Sequence, residues 1–405
     1  MHQQQMEGAE TPMFPIAGTR RSYHWGSTDV IPGILRIDPD GEPYAEHWFG
    51  SHPLGDSLLP GSLPLSEHLR AHPEQLGEAN LDQYGVTLPY LVKFLSAGTP
   101  LSLQAHPSRQ QAELGYARES LQAKEIDAPD RCFKDDWPKP ELIVALTAFD
   151  GLVGFRSPRE TVSMFEALGV MQRLEPIMRP LWTRETTPAL QQVFLSVLTL
   201  DRDQGLVEEV VSAAVRCLDM PGRVGDFART AVELDEHFPG DPGILAALLL
   251  HRFHLEPGEA VFLPTGVMHT YLRGTAIEVM ANSDNVLRGG LTSKHIDVDS
   301  LLEVVDFTPT DVTVLTATGH DGLYHFETPT EEFQVWLVQP MHGPAVKLPD
   351  EQSARICIAI DGSIELVGET NDRLRLERGE AAFIGAAEHV TAVGSGQMYV
   401  TAGAR

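Results

Sequence analysis

Residues 88–107, LPYLVKFLSAGTPLSLQAHP, are mostly apolar, with a turn signal at Gly98, Thr99 and Pro100. After the turn the chain alternates. Leu101, Leu103 and Ala105 take one face of an expected strand, and Ser102, Gln104 and His106 take the other. Such a polar face meets either water or the inside of a polar pocket.

The same patterning divides the rest of the chain. Residues 1–18 read as a flexible N-terminal tail. Residues 19–157 are turn-rich and read mainly as strands, with helices expected at 64–77 and 108–122. From 158 to 253 the period becomes helical. PRETVSMFEALG opens on Pro158 and Glu160, which suit a helix start, and 187–200, 205–220 and 241–253 carry helical spacing. This block is expected to be a helical domain. Short strands and turns return over 254–305 and 306–405.

One internal echo stands out. LEPGEAVFLP (255–264) and LERGEAAFIG (376–385) agree at six of ten positions. Each reads as strand, glycine turn, strand, which points to two related β lobes. Extending the register takes the first copy to His269 and the second to Val390, with His389 one place early. The second copy also lacks a Gln-x-His, so 306–405 is expected to be a degenerate, metal-free lobe.

The chain has 405 residues, enough for two or three domains. Its 57 acidic residues outnumber 30 basic ones, for a net charge of −27. That surface repels nucleic acid and anionic membranes, so an anionic substrate needs its own local cations. Cys132, Cys217 and Cys357 are too far apart in sequence for a disulfide framework or a CxxC metal site. The first residues carry no apolar signal-peptide core, and no apolar run is long enough to span a membrane. The expected setting is the cytoplasm.

Four segments place polar groups in apolar surroundings: Gln104 with His106, Glu141, His269, and the run 278–295. Two imidazoles, a carboxylate and an amide oxygen suit a divalent ion of borderline softness, zinc first. Gln104 and His106 project from one strand face. Taken singly, each also has an ordinary reading, as a surface Gln-x-His or a hydrogen-bonded core histidine. Arg288 and Lys294 lie near Gly289 and Gly290. They suit a phosphate or an enediolate oxygen, or else a solvated loop.

Taken together and in order, YHWGS (23–27), YAEHWFGSHPLGDS (44–57), YLVKFLSAGTPLSLQAHPS (90–108), ELGYARES (113–120), KPELIVALTAFDGLVGFR (139–156), PGEAVFLPTGVMHTYLRG (257–274) and IEVMANSDNVLRGGLTSKHIDV (277–298) resemble the type I mannose-6-phosphate isomerase family. The resemblance implies a mainly β fold with cupin-type barrel or jelly-roll lobes and a helical domain. Residues 19–157 and 254–305 would form the catalytic cupin region. It also implies one Zn²⁺ per subunit and an aldose–ketose isomerisation of mannose 6-phosphate and fructose 6-phosphate through a cis-enediol.

By motif, the family's zinc ligands fall on Gln104, His106, Glu141 and His269, and its essential arginine on Arg288. Its phosphate positions fall on Ser102 and Lys294. Lys139 and Glu278 match polar positions near the reacting end of the sugar, with Glu278 the first candidate for the proton-shuttling base. The protein is expected to act as a monomer on a small sugar phosphate, with no nucleic-acid or membrane partner. Two departures stand out: Trp137 and Pro138 replace an Asn-His pair, and Met268 precedes His269 where the family commonly has Pro. The alternatives are an isomerase of another phosphosugar or free aldose, a metal-dependent dioxygenase of the three-His type, and a non-catalytic sugar-binding cupin.

Overall fold

The structure is a computed structural model describing residues 13–200, 205–341, 343–349 and 352–403. The first twelve residues of the expected tail lie outside the described residues. The next four, Met13–Ile16, form a strand antiparallel to Ala381–Ile384.

The expected architecture needs correction. Helix and strand take about 30% and 31% of the chain, and the two large sheets, of nine and eleven strands, are open. A barrel closes only when its terminal strands pair with each other. The nine-stranded path runs instead from Met13–Ile16 to Thr318–His320, and these two strands do not pair. Among the described residues the fold is therefore mixed α/β, without a closed barrel or jelly roll, and not a mainly β pair of related cupin-type lobes.

The sequence echo is a repeated turn. Gly258 and Gly379 have φ of +90° and +86°, a region that favours glycine. Glu256 N–H donates to the Glu259 carboxylate at 2.8 Å, and Glu377 N–H to that of Glu380 at 2.9 Å. In both copies the flanking strands pair with other strands and not with each other.

The chain forms two compact units. Among the described residues, the first comprises those within 13–22, 28–94 and 316–403 and holds the nine-stranded sheet, with a core that includes Trp336, Cys357, Leu366 and Val400.

The second comprises residues 23–27 and 95–315 and contains every candidate site residue. Its long strand His269–Ala281 pairs first with Phe149–Phe155 and then with Glu141–Ala145. The change of partner falls at Gly274, where φ is +116° and an added Cβ would lie 2.6 Å from the Ala148 oxygen. One strand thereby carries both His269 and Glu278, and Met280 pairs with Glu141.

Most of the helices expected within 158–253 form. Ser157 caps Pro158–Leu168 by accepting from Glu160 N–H, and Gly169 ends the helix at φ +77°. Phe165, Val193, Phe194, Val210 and Phe227 share one core with Phe155. Residues 241–253 give only the short helix Gly243–Ala247 and then enter the strand Leu250–Leu255. Pairing with Phe149–Phe155 satisfies that backbone and buries Leu250, Phe253 and Leu255.

Candidate metal centre

Glu141 opens its strand, and His269 opens the long strand. His106 follows the strand Gln104–Ala105 and precedes the helix Arg109–Leu121, which Ser108 and Gln111 start with a reciprocal capping box. His106, Glu141 and His269 are all nearly fully buried. His106 Nε2 lies 3.3 Å from Glu141 Oε1, and His269 Nε2 lies 3.3 Å from Oε2.

The far ring nitrogens settle the chemistry. His106 Nδ1 meets the Asn285 carbonyl at 2.6 Å, and His269 Nδ1 meets that of Val267 at 3.0 Å. A carbonyl only accepts, so each Nδ1 carries the proton and each neutral ring presents a lone pair at Nε2. Two lone pairs thus face one carboxylate, and among the described residues neither Nε2 has a hydrogen-bond partner. A divalent cation among these atoms resolves that arrangement, and the N and O donors suit zinc.

Charge states agree with a metal-ready site. Burial pushes His106 down to about 4, with Lys139 acting in the same direction. Burial pushes the Glu141 carboxyl up, but the Lys139 ammonium opposes it, and the carboxyl is held well below the usual carboxylate range. Lys139 Nζ lies 3.0 Å from Glu141 Oε1.

The strand Gln104–Ala105 is in register with His269 on one side and, through Gln104, with Arg288 on the other. Ser102, two residues earlier, is half-buried. Among the described residues, Arg288, Lys294 and Lys134 form no ion pair. Burial lowers Arg288 and Lys294, and Arg288 and Lys134 both push Lys294 further down. An anion entering here meets cations that no carboxylate has neutralised.

Sequence reasoning missed Lys134, Tyr271 and Asn285. Tyr271 Oη donates to Glu278 Oε1 at 3.0 Å and lies 3.4 Å from Glu141 Oε2. The signal was its place two residues after His269, on the same strand face. Asn285 is fully buried. Its Oδ1 accepts from Lys134 and Asp135 N–H, and its Nδ2 donates to Asp135 and to the Trp137 oxygen. The amide thus fixes the segment leading into Lys139 and Glu141, while its carbonyl orients His106. The Trp137 ring stacks under the Arg109 guanidinium at 3.6 Å.

A second trio, Glu119, Cys132 and Asp297, also lies close together. Glu119 there accepts from Cys132 and Phe133 N–H and faces Lys124 and Arg131, which makes it a structural clamp.

Residues 13–158 match the model of the type I phosphomannose isomerase catalytic domain. The chain is 35% identical to mannose-6-phosphate isomerase of Salmonella typhimurium, over 95% of this chain and 98% of that protein. It is 31% identical to the Homo sapiens mannose-6-phosphate isomerase, over 94% and 95%. The zinc-bound holo crystal structure of mannose 6-phosphate isomerase superposes with a TM-score of 0.88 at 30% identity, covering 98% of this chain and all of that one. The apo form from Salmonella typhimurium gives the same values.

Proposed function

Because the chain belongs to the type I mannose-6-phosphate isomerase family, we propose that its buried His106–Glu141–His269 centre is where that family's reaction takes place. The protein is a zinc-dependent isomerase interconverting mannose 6-phosphate and fructose 6-phosphate, with one Zn²⁺ per subunit. The observation that carries this reading is the pair of imidazole lone pairs facing the two oxygens of Glu141. Gln104 completes the ligand set, supported by its register with His269.

A zinc ion held by His106, Glu141, His269 and Gln104 would supply Lewis-acid polarisation to the bound sugar. Glu278 takes the C2 proton of the open-chain aldose. The C–H electron pair becomes the C1–C2 double bond of a cis-enediol as O1 gains a proton. Return of the proton to C1, with loss of the O2 proton, gives the ketose. The Tyr271 hydroxyl holds the Glu278 carboxylate in place, which supports Glu278 as the base. Lys139 lies against Glu141, which supports a charge-balancing role for it. Arg288 stabilises the negative charge that develops on the enediol oxygens. Ser102 and Lys294 hold the phosphate, and binding there lowers the barrier remotely.

A coupled assay tests the reading, with mannose 6-phosphate, glucose 6-phosphate and free mannose in parallel. Conversion of the first alone is expected, and chelation should abolish it. Zinc-loaded protein that leaves mannose 6-phosphate unconverted overturns the reading. Monomeric, cytoplasmic action belongs to the same proposal, and light scattering on the eluted protein checks the monomer. Among the described residues no helix is long and apolar enough to cross a membrane.

A further inference from the structure

The second unit holds another concave surface. A cleft of about 1110 Å³ is lined by Leu272 and Arg273 of the long strand but by none of His106, Glu141 and His269. Five arginines line it, Arg156, Arg223, Arg229, Arg252 and Arg273, and no lysine does.

Four of these are hydrogen-bonded to nearby carboxylates: Arg229 to Asp226 at 2.6 Å, Arg252 to Glu233 at 2.9 Å, Arg273 to Asp150 at 2.8 Å, and Arg223 to Glu160 at 3.1 Å. Arg156 is not. Its side chain is only 9% exposed, yet its one hydrogen bond among the described residues runs from Nη1 to the Leu248 oxygen at 2.9 Å. Glu160 Oε1 lies 3.6 Å from its Nε, beyond hydrogen-bond range. That same oxygen lies 3.1 Å from Arg223 and 3.9 Å from His251, so it serves three cationic groups.

A guanidinium carries five N–H donors, and a buried charge is ordinarily paired and hydrogen-bonded. Here, among the described residues, one of these donors has a protein hydrogen-bond partner, and the guanidinium lies 5.3 Å over the Phe227 ring at the wall of a cleft. Burial, with Arg223 adding to it, pushes Arg156 down to about 10 despite Glu160.

We propose that this cleft binds a phosphate ester, with its phosphoryl group on Arg156 and Arg223 beside His251. Guanidinium forks match phosphate oxygens in pairs, and lysine does not. The volume far exceeds one phosphate, so the carbon part of the ester fills the remainder. Asp150, Asp226 and Glu233 line that remainder and accept from hydroxyl groups, which selects a hydroxylated ester. The site borders the metal centre through the main chain. Gly154 N–H donates to the Met268 oxygen at 2.9 Å, and Val153 is in register with His269.

The test is calorimetric titration of glycerol 3-phosphate and of inorganic phosphate into Ser102→Ala/Lys294→Ala protein, whose proposed isomerase phosphate contacts are removed. Saturable binding of glycerol 3-phosphate, tighter than that of inorganic phosphate, is expected to remain. Adding Arg156→Gln or Arg223→Gln should weaken it at least tenfold. In the otherwise unmodified enzyme, the same two changes should leave KM for mannose 6-phosphate unaltered. Arg223 is 78% exposed, so its variant keeps the test decisive if Arg156→Gln fails to fold. Loss of all binding in the double variant overturns the proposal. So does binding indifferent to Arg223→Gln, or inorganic phosphate binding as tightly as the ester.

Discussion

The main-chain oxygen of Asn285 accepts from His106 Nδ1 at 2.6 Å, so one residue fixes the tautomer of a metal ligand while its own side chain anchors the segment leading to another. Asn285→Asp replaces the two Nδ2 donors with an oxygen facing Asp135 and Trp137 oxygens. Zinc affinity should fall by about 10–100-fold, the usual cost of losing a group that orients metal ligands. Competition against a chromogenic chelator measures this, with circular dichroism as a check on folding. Unchanged affinity in a folded variant rejects the positioning role.

Arg288 and Lys294 are expected to separate kinetically. Arg288→Ala removes a donor to a developing oxyanion and should lower kcat by about 10²–10³ with zinc retained. Lys294→Ala removes a contact made to phosphate in ground and transition states alike, and should mainly raise KM. Steady-state kinetics on mannose 6-phosphate decide the matter. Arg288→Ala with a raised KM and intact kcat would make Arg288 a binding group only.

Tyr271→Phe deletes the hydroxyl 3.0 Å from Glu278 and 3.4 Å from Glu141. Losing a hydrogen bond to a charged group costs roughly 1.5–3 kcal/mol, so kcat should drop at least tenfold. Metal analysis should still find one zinc per chain, because the Glu141 contact is the longer. Wild-type turnover would show that Glu278 is oriented by other groups.

His47 makes acid stability testable in the first unit. Burial pushes its imidazole down to about 4 from an unfolded value of 6.5. Below pH 6.5 the unfolded chain binds the proton that the folded one refuses. Stability is therefore full above pH 6.5 and falls as pH drops toward 4, by roughly 3 kcal/mol for this group. Urea unfolding at pH 7.5 and pH 4 should show a smaller acid loss in His47→Gln than in the parent chain. An equal loss in both excludes His47 as a source of the acid sensitivity.

The helix Arg109–Leu121 shows how much local sequence can decide. Ser108 and Gln111 are a capping signal readable from the chain, and the helix begins beside them. The grouping of His106 with Glu141 and His269 was legible for a similar reason. Strand alternation puts Gln104 and His106 on one face, and the motif order resembles that of a known family. That resemblance also pointed to Glu278, Arg288 and Lys294, whose roles are proposals.

What the sequence could not supply was long-range geometry. The barrel expectation failed because closure depends on whether terminal strands meet, and alternation is identical in open and closed sheets. The segment 241–253 carried helical spacing but entered a strand because Phe149–Phe155 offered a ladder that spacing cannot reveal. Asn285 reaches Lys134 across 151 positions, and the Arg156 cleft joins strand ends to helices more than 60 residues apart. Local sequence chose the chemical groups, and tertiary packing decided which of them are buried together, because hydrogen bonding and desolvation act between residues distant along the chain.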